Sequence, residues 1–272
     1  MRSQLEKAQA FRALHERQHA FIVPNPGDAG TARILADLGF EALATTSAGI
    51  ALLAGERDHA IGRDRMMALV GAIASATDLP VTGDLENGYG DDPAEVAETI
   101  RRAAEVGLVG CSIEDATTSA GDPVYEQKRA AERIAAAAEA ARALPFPFTL
   151  TARADNYLVG RANLADTIAR LQAYQEAGAD VLFAPGLTKK DDIASVVKSV
   201  DRPLNVLVMP QSGLSLSELS SIGVRRVSVG SALCRIALGE ILGAAREMQE
   251  GGTFSFIGGS GSRRTSIQTS IQ

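Results

Sequence analysis

Short apolar runs alternate with helical patterns along this chain, and that alternation limits its fold more than any other feature. Strand-like runs are read at Phe21–Pro24, Ala42–Thr46, Val81–Leu85, Val109–Glu114, Phe148–Arg153, Val181–Ala184, Leu204–Val208 and Arg225–Val229. Helical patterns lie near Gly30–Leu38, Asp64–Ala76, Pro93–Val106, Glu126–Ala143, Leu164–Glu176, Lys190–Ser199 and Ser215–Ser221, and a last helix is expected over Ala232–Gln249. Eight strands separated by helices predict an α/β fold, a (β/α)8 TIM-type barrel with parallel strands. The competing open doubly wound sheet lacks a GxGxxG after its first strand. Gly107 and Gly178 stand at helix-to-strand junctions and suit left-handed C-caps. Residues 1–250 read as one barrel domain including the last helix, and 251–272 as a flexible Gly/Ser-rich tail.

Composition narrows the function. The 272 residues are 46% apolar, enough for one large core, and carry a net charge of −6 with acids and bases interspersed. No basic stripe and no Trp favour a nucleic-acid partner. The apolar run Ala42–Ala54 is too short to span a membrane and is interrupted by Thr45, Thr46 and Ser47. The N-terminus begins as a polar helix without a signal-peptide core, and two cysteines, Cys111 and Cys234, make no disulfide framework. A cytoplasmic protein is expected.

The chemistry-bearing residues collect where a barrel places them, at the C-terminal ends of strands. Asp84 and Glu86 lie two apart after Val81-Thr82-Gly83, on one side of a strand end, and Gly88 and Gly90 let the chain turn beside them. Glu114 ends the next strand, and Arg153 with Asp155 ends the one after it. Oxygen ligands of this kind suit a hard cation, Mg²⁺ or Mn²⁺. None of the three histidines (His15, His19, His59) and none of the five lysines lies on a strand end. A histidine zinc site, a Ser-His-Asp triad and a Schiff-base lysine are therefore disfavoured. Plainer readings stand beside these: Glu114 and Arg153 as a structural ion pair, Asp58 as a surface charge between Arg57 and His59, Ser47 as a cap, and Asn205 as a structural amide.

Four segments together resemble the isocitrate lyase/phosphoenolpyruvate mutase superfamily. Asp84-Leu85-Glu86-Asn87-Gly88-Tyr89-Gly90 resembles its D-x-D/E-x-G-Y/F-G segment, and Ser112-Ile113-Glu114-Asp115 its strand-four E-D. Thr151-Ala152-Arg153-Ala154-Asp155 resembles its A-R-x-D/E, and Thr46-Ser47-Ala48-Gly49-Ile50 its Ser/Gly loop after strand two. The resemblance implies Asp84 as direct Mg²⁺ ligand, with Glu86 and Glu114 holding metal-bound waters. It implies a further metal-side carboxylate at Asp58 and a substrate-carboxylate cradle at Thr46, Ser47, Ala48 and Gly49. It also implies Arg153 beside the oxyanion and Asn205 as a polar substrate contact. Arg153, Asp58 and Glu114 are the catalytic expectations. The implied chemistry is an enolate of a 2-oxo acid, and the implied assembly is a dimer or tetramer in which the last helix packs on a neighbouring barrel.

One segment departs from the family. Classical lyases carry K-x-C-G-H after strand four, and phosphonomutases carry Lys and Asn there; here residues 115–127 hold no Cys, Lys, His or Asn. Tyr89, Tyr125 and a metal-bound water are the candidate proton donors. The expected function is a Mg²⁺-dependent carbon–carbon lyase acting on an isocitrate-, 2-methylisocitrate- or oxaloacetate-like acid. The alternatives are a C–P bond mutase or hydrolase, and a 2-oxo-acid-binding protein without efficient turnover.

Overall fold

The structure, a computed structural model, describes residues 2–117, 119 and 121–258. Helix α1 (Gln4–His15) precedes β1 (Phe21–Val23). Next come α2 (Ala29–Asp37), β2 (Leu43–Ala44), α3 (Ser47–Leu53), α4 (Arg63–Ser75), β3 (Val81–Asp84), α5 (Pro93–Glu105) and β4 (Gly110–Glu114). The second half holds α6 (Gln127–Arg142), β5 (Thr149–Arg153), α7 (Leu164–Glu176), β6 (Val181–Phe183), α8 (Lys190–Ser199), β7 (Leu204–Leu207), α9 (Leu216–Ser221), β8 (Arg226–Ser228) and α10 (Ala232–Arg246). The eight strands run parallel in the order β1-β8-β7-β6-β5-β4-β3-β2. The expected (β/α)8 barrel is therefore the fold.

The seam between β1 and β2 closes without a strand ladder. Ala44 N–H donates to Pro24 C=O at 3.1 Å. Asn25 does the rest: its Nδ2 donates to Thr45 C=O, while its Oδ1 accepts from Val229 N–H and Gly230 N–H at 2.9 and 3.0 Å. Asn25 is 4% exposed, so Asn25→Ala leaves two half-buried donors and one buried acceptor without it. At roughly 1–3 kcal/mol for each unsatisfied group, partly relieved by water, a net loss of about 2–4 kcal/mol is expected in denaturant unfolding.

Helix faces follow the apolar spacing. On α5 the buried positions are Val96, Thr99, Ile100, Ala103 and Ala104, three and four apart, and Asp92 caps the helix ahead of Pro93. Gly107 and Gly178 take φ of 94° and 105°, as expected of left-handed caps. Two expectations need correction. Residues 42–46 were read as one strand, but β2 holds only two residues, because Thr46 turns to become the N-cap of α3, its Oγ1 accepting from Gly49 N–H. The last helix ends as α-helix at Arg246 and continues as a π turn over Glu247–Gly251. Of the expected tail, Ser255–Gly258 forms a helical turn, and 259–272 lie outside the described residues. No helix among the described residues is long and apolar enough to cross a membrane.

Candidate active site

A cavity of about 400 Å³ opens at the C-terminal ends of the strands, bordered by Ser47, Asp58, Asp84, Ser112, Arg153 and Asn205 among others. Its size suits a small acid. A larger cavity of about 690 Å³ lies on the opposite face, near Arg12, Arg142 and Arg202, and none of the strand-end carboxylates reaches it.

Asp84 ends β3 and meets the start of α3. Ser47 N–H and Oγ–H both donate to its Oδ2, at 3.0 and 3.1 Å, and its own N–H donates to Thr45 Oγ1. Thr46, Ala48 and Gly49 shape that turn from the α3 side. Arg153, ending β5, is the hub. Its Nε and Nη2 donate to Asp155 at 2.6 and 2.8 Å. Its Nη1 lies 3.0 Å from Glu114 and 3.5 Å from Asp84. Arg153 thus bridges Asp84 and Glu114, and the ion pair read for Glu114 and Arg153 is formed within this cluster.

Glu86 and Glu114 are 4% and 3% exposed, and Oε1 of each has no hydrogen-bond partner among the described residues. Burial pushes Glu86 up to about 8, with the charges of Asp84 and Asp58 adding to it. Burial likewise holds Glu114 well above the usual carboxylate range, although Arg153 pulls the other way. Asp58 is exposed on the loop after α3, close enough to act on Glu86 through its charge. Among the described residues no cluster of three or more His, Cys, Asp or Glu forms a ready ligand cage. Mg²⁺ does not need one, since it keeps several waters and binds through one or two carboxylates. Buried, partnerless carboxylate oxygens beside Asp84 therefore fit such a cation.

Both glutamates bind protons in the folded state that the unfolded chain releases near 4.5. Their contribution to stability is complete below that pH and is lost as pH climbs, for Glu86 toward about 8 and for Glu114 well above the usual carboxylate range. Without divalent metal, the thermal midpoint is expected to fall from about pH 5 to about pH 8, and Mg²⁺ at about pH 8 is expected to restore it. A flat profile in differential scanning fluorimetry would count against the buried acids.

His59 joins these carboxylates although the sequence offers no histidine at a strand end. Its Nδ1 lies 3.6 Å from Glu86 and its Nε2 3.4 Å from Glu114. It arrives there because the α3–α4 turn folds back over the barrel mouth. His59, Glu86 and Tyr89 are the three non-glycine residues with positive φ among those described, at 63°, 51° and 61°. Backbone strain is thus concentrated around these carboxylates. The Tyr89 hydroxyl is shielded and has no hydrogen-bond partner among the described residues, and burial raises its pKa, so it stays protonated. Tyr125 is tied elsewhere: its hydroxyl donates to Asp91, and Arg133 stacks on its ring at 4.2 Å. Asn205 is held by β8, donating to Ser228 Oγ at 3.0 Å and accepting from Arg226 Nε at 2.9 Å. Asp115, beside the site, is a buried clamp that accepts from Arg170, Tyr174 and the Asp155 N–H. Arg226 and Arg235 also border the cavity, and the sequence reading named neither.

A parallel barrel with carboxylates and an arginine gathered at its strand ends keeps its ionisable groups where enzymes of this fold keep their chemistry. The family comparison agrees: residues 11–249 match the phosphoenolpyruvate phosphomutase family, and the chain belongs to it, within the isocitrate lyase/phosphoenolpyruvate mutase superfamily of enzymes. A Corynebacterium glutamicum protein named a probable 2-methylisocitrate lyase is 30% identical over 260 residues, covering 91% of this chain and 83% of its own. A Burkholderia cenocepacia crystal structure, described only as a candidate lyase or mutase, superposes with a TM-score of 0.94 at 59% identity, covering 97% of this chain and 96% of its own. A phosphonopyruvate hydrolase crystallised with oxalate and Mg²⁺ shares the fold with a TM-score of 0.84 at 21% identity, covering 97% and 95%.

Proposed function

We propose that this protein is a Mg²⁺-dependent carbon–carbon lyase acting on a small 2-oxo or 2-hydroxy di- or tricarboxylate through an enolate. The observation that carries this reading is the pair of buried Glu86 and Glu114 oxygens, neither hydrogen-bonded among the described residues, beside an Asp84 and Arg153 that themselves border a cavity sized for such an acid. Asp84, with Glu86, Glu114 and Asp58 around it, would hold the cation, which when bound supplies Lewis-acid stabilisation of developing negative charge. Arg153, fixed by Asp155, presents a cation that cannot lose its proton to the oxyanion side of the substrate. The start of α3 at Ser47, Ala48 and Gly49 would receive the carboxylate next to the reacting carbon, with Ser47 turning to it the hydroxyl and N–H that otherwise donate to Asp84. Tyr89 keeps its proton beneath the carboxylates, and His59 covers them from the α3–α4 turn.

The lyase reading is supported by the named lyase relative, and the metal by the oxygen-rich donor set. Decarboxylation of an oxaloacetate-like acid requires no cysteine in the loop after β4, which agrees with residues 115–127. The C–P alternative has no such support, since that loop carries neither Lys nor Asn. We also infer a homo-oligomer in the cytoplasm, with α10 presenting Ile236, Ile241 and Leu242 outward, 62%, 63% and 52% exposed. The deciding experiment is a turnover screen of oxaloacetate, isocitrate, 2-methylisocitrate, 2-oxoglutarate and phosphonopyruvate, read by mass spectrometry with and without EDTA. Metal-dependent loss of one di- or tricarboxylate is expected. Turnover of phosphonopyruvate alone would overturn the carbon–carbon assignment, and binding without turnover would leave a 2-oxo-acid-binding protein.

A further inference from the structure

Arg226 opens β8 and is 4% exposed. Its Nε donates to Asn205 Oδ1, its Nη2 donates to Thr151 Oγ1 at 3.0 Å, and its Nη1 lies 3.4 Å from His15 Nε2. Each of these partners is uncharged, because burial and the Arg226 charge itself hold His15 down to about 3. A guanidinium carries five N–H groups, so donors remain over after these three contacts. Thr151 stands two residues before Arg153 on β5, so Arg226 crosses the lumen one layer below Arg153 and borders the floor of the cavity. No carboxylate pairs with it among the described residues, and burial alone presses its pKa down to about 9.

Arg235, in the first turn of α10, borders the same cavity from its exposed mouth. Its Nε donates to Ser231 Oγ at 3.0 Å, and again no carboxylate pairs with it among the described residues. The contrast with Arg153 is sharp, since that residue is matched by Asp155, Glu114 and Asp84. The cavity is therefore polarised. Its acids, Asp58 and Asp84, stand on the α3–β3 side, and its uncompensated cations on the β8–α10 side. A buried cation without a counter-ion is costly to keep, and a ligand carboxylate would offset that cost.

We propose that Arg226 at the floor and Arg235 at the mouth form a second anion subsite, which takes the distal carboxylate of the substrate and selects a dicarboxylate over a monocarboxylic 2-oxo acid. This rests on the 2-oxo-acid reading given above. The test is isothermal titration of the full chain, in Mg²⁺, with two non-reacting probes. Oxalate carries only the two-carbon end that meets the metal side, whereas 3,3-difluorooxaloacetate adds a distal carboxylate. Arg226→Gln and Arg235→Gln are each expected to weaken 3,3-difluorooxaloacetate about tenfold or more while leaving oxalate within about twofold, and Arg226→Lys to recover part of the loss. Arg235 is exposed, so its variant tests the subsite even if Arg226→Gln does not fold. Equal losses for both probes would make the arginines positioning residues, and unchanged affinities would remove them from the site; either result overturns the proposal. Oxalate binding with no preference for the longer probe in the wild type would overturn the subsite alone. Binding of neither probe would bring down the 2-oxo-acid reading and the subsite with it.

Discussion

Asp84→Ala is expected to end Mg²⁺-dependent turnover, with a fall of about a thousandfold or more in kcat/KM. The magnitude follows from losing several kcal/mol of charge stabilisation at about 1.4 kcal/mol per factor of ten. The structure makes Asp84 hard to replace. Its Oδ2 is oriented by two donors from Ser47, its N–H is held by Thr45, and its Oδ1 faces Arg153 and Ser112. Among the described residues Asp84 is the strand-end carboxylate that borders the cavity, whereas Glu114 and Asp155 are paired with Arg153 and Asp115 with Arg170 and Tyr174. Calorimetric titration with Mg²⁺ should show the same loss, separating a missing ligand from a damaged fold. Intact metal affinity in Asp84→Ala would take Asp84 out of the metal site.

Arg153→Met is expected to cost both activity and stability. Removing one partner of a buried charge cluster leaves the others uncompensated, at about 3–5 kcal/mol. Here those left behind are Glu114 and Asp155, each 3% exposed. Losing an electrostatic donor of this kind typically costs about a hundred- to a thousandfold in kcat. The loss of stability has a signature in pH. Arg153 is the group that pulls the Glu114 pKa down, so without it Glu114 binds its proton still more firmly. The defect should therefore be milder near about pH 5, where Glu114 holds more of its proton, than near about pH 8. Urea unfolding at both values measures this, and an equal defect at both would mean that Arg153 is not the counter-ion of Glu114.

How much of this was legible depended on whether the signal was local. Helices α7 and α8 begin and end where the apolar spacing and the caps put them, at Leu164–Glu176 and Lys190–Ser199. The carboxylates were legible because they sit on strand ends, where the barrel leaves side chains facing one mouth. Helix α3 was not: Ser47, Gly49, Ile50 and Ala51 are all buried, so the segment has no polar face to give a helical period. His59 was hidden for another reason. Its approach to Glu86 and Glu114 depends on a left-handed turn that a residue with a Cβ seldom adopts, and only the assembled mouth requires it. Arg226 and Arg235 fall within an expected strand and an expected helix, with nothing local to single them out. What marks them out is the absence of a facing carboxylate, and that is a property of the packed lumen.

Asn25 also ties the end of β1 to the end of β8, and that edge bears on how the barrel assembles. Strands β3, β4 and β5 pair with near neighbours in the chain, whereas β1 must find β8, with Phe21 opposite Arg226. Long loop closures are entropically slow, so the β1–β8 edge is expected to form last and open first. The amide protons of Val229 and Gly230 are anchored by a single side-chain oxygen and should exchange with deuterium well ahead of those in β4. The wall that carries Arg226 and leads into α10 would then be the least stable part of the barrel, and a bound dicarboxylate should slow exchange there more than anywhere else.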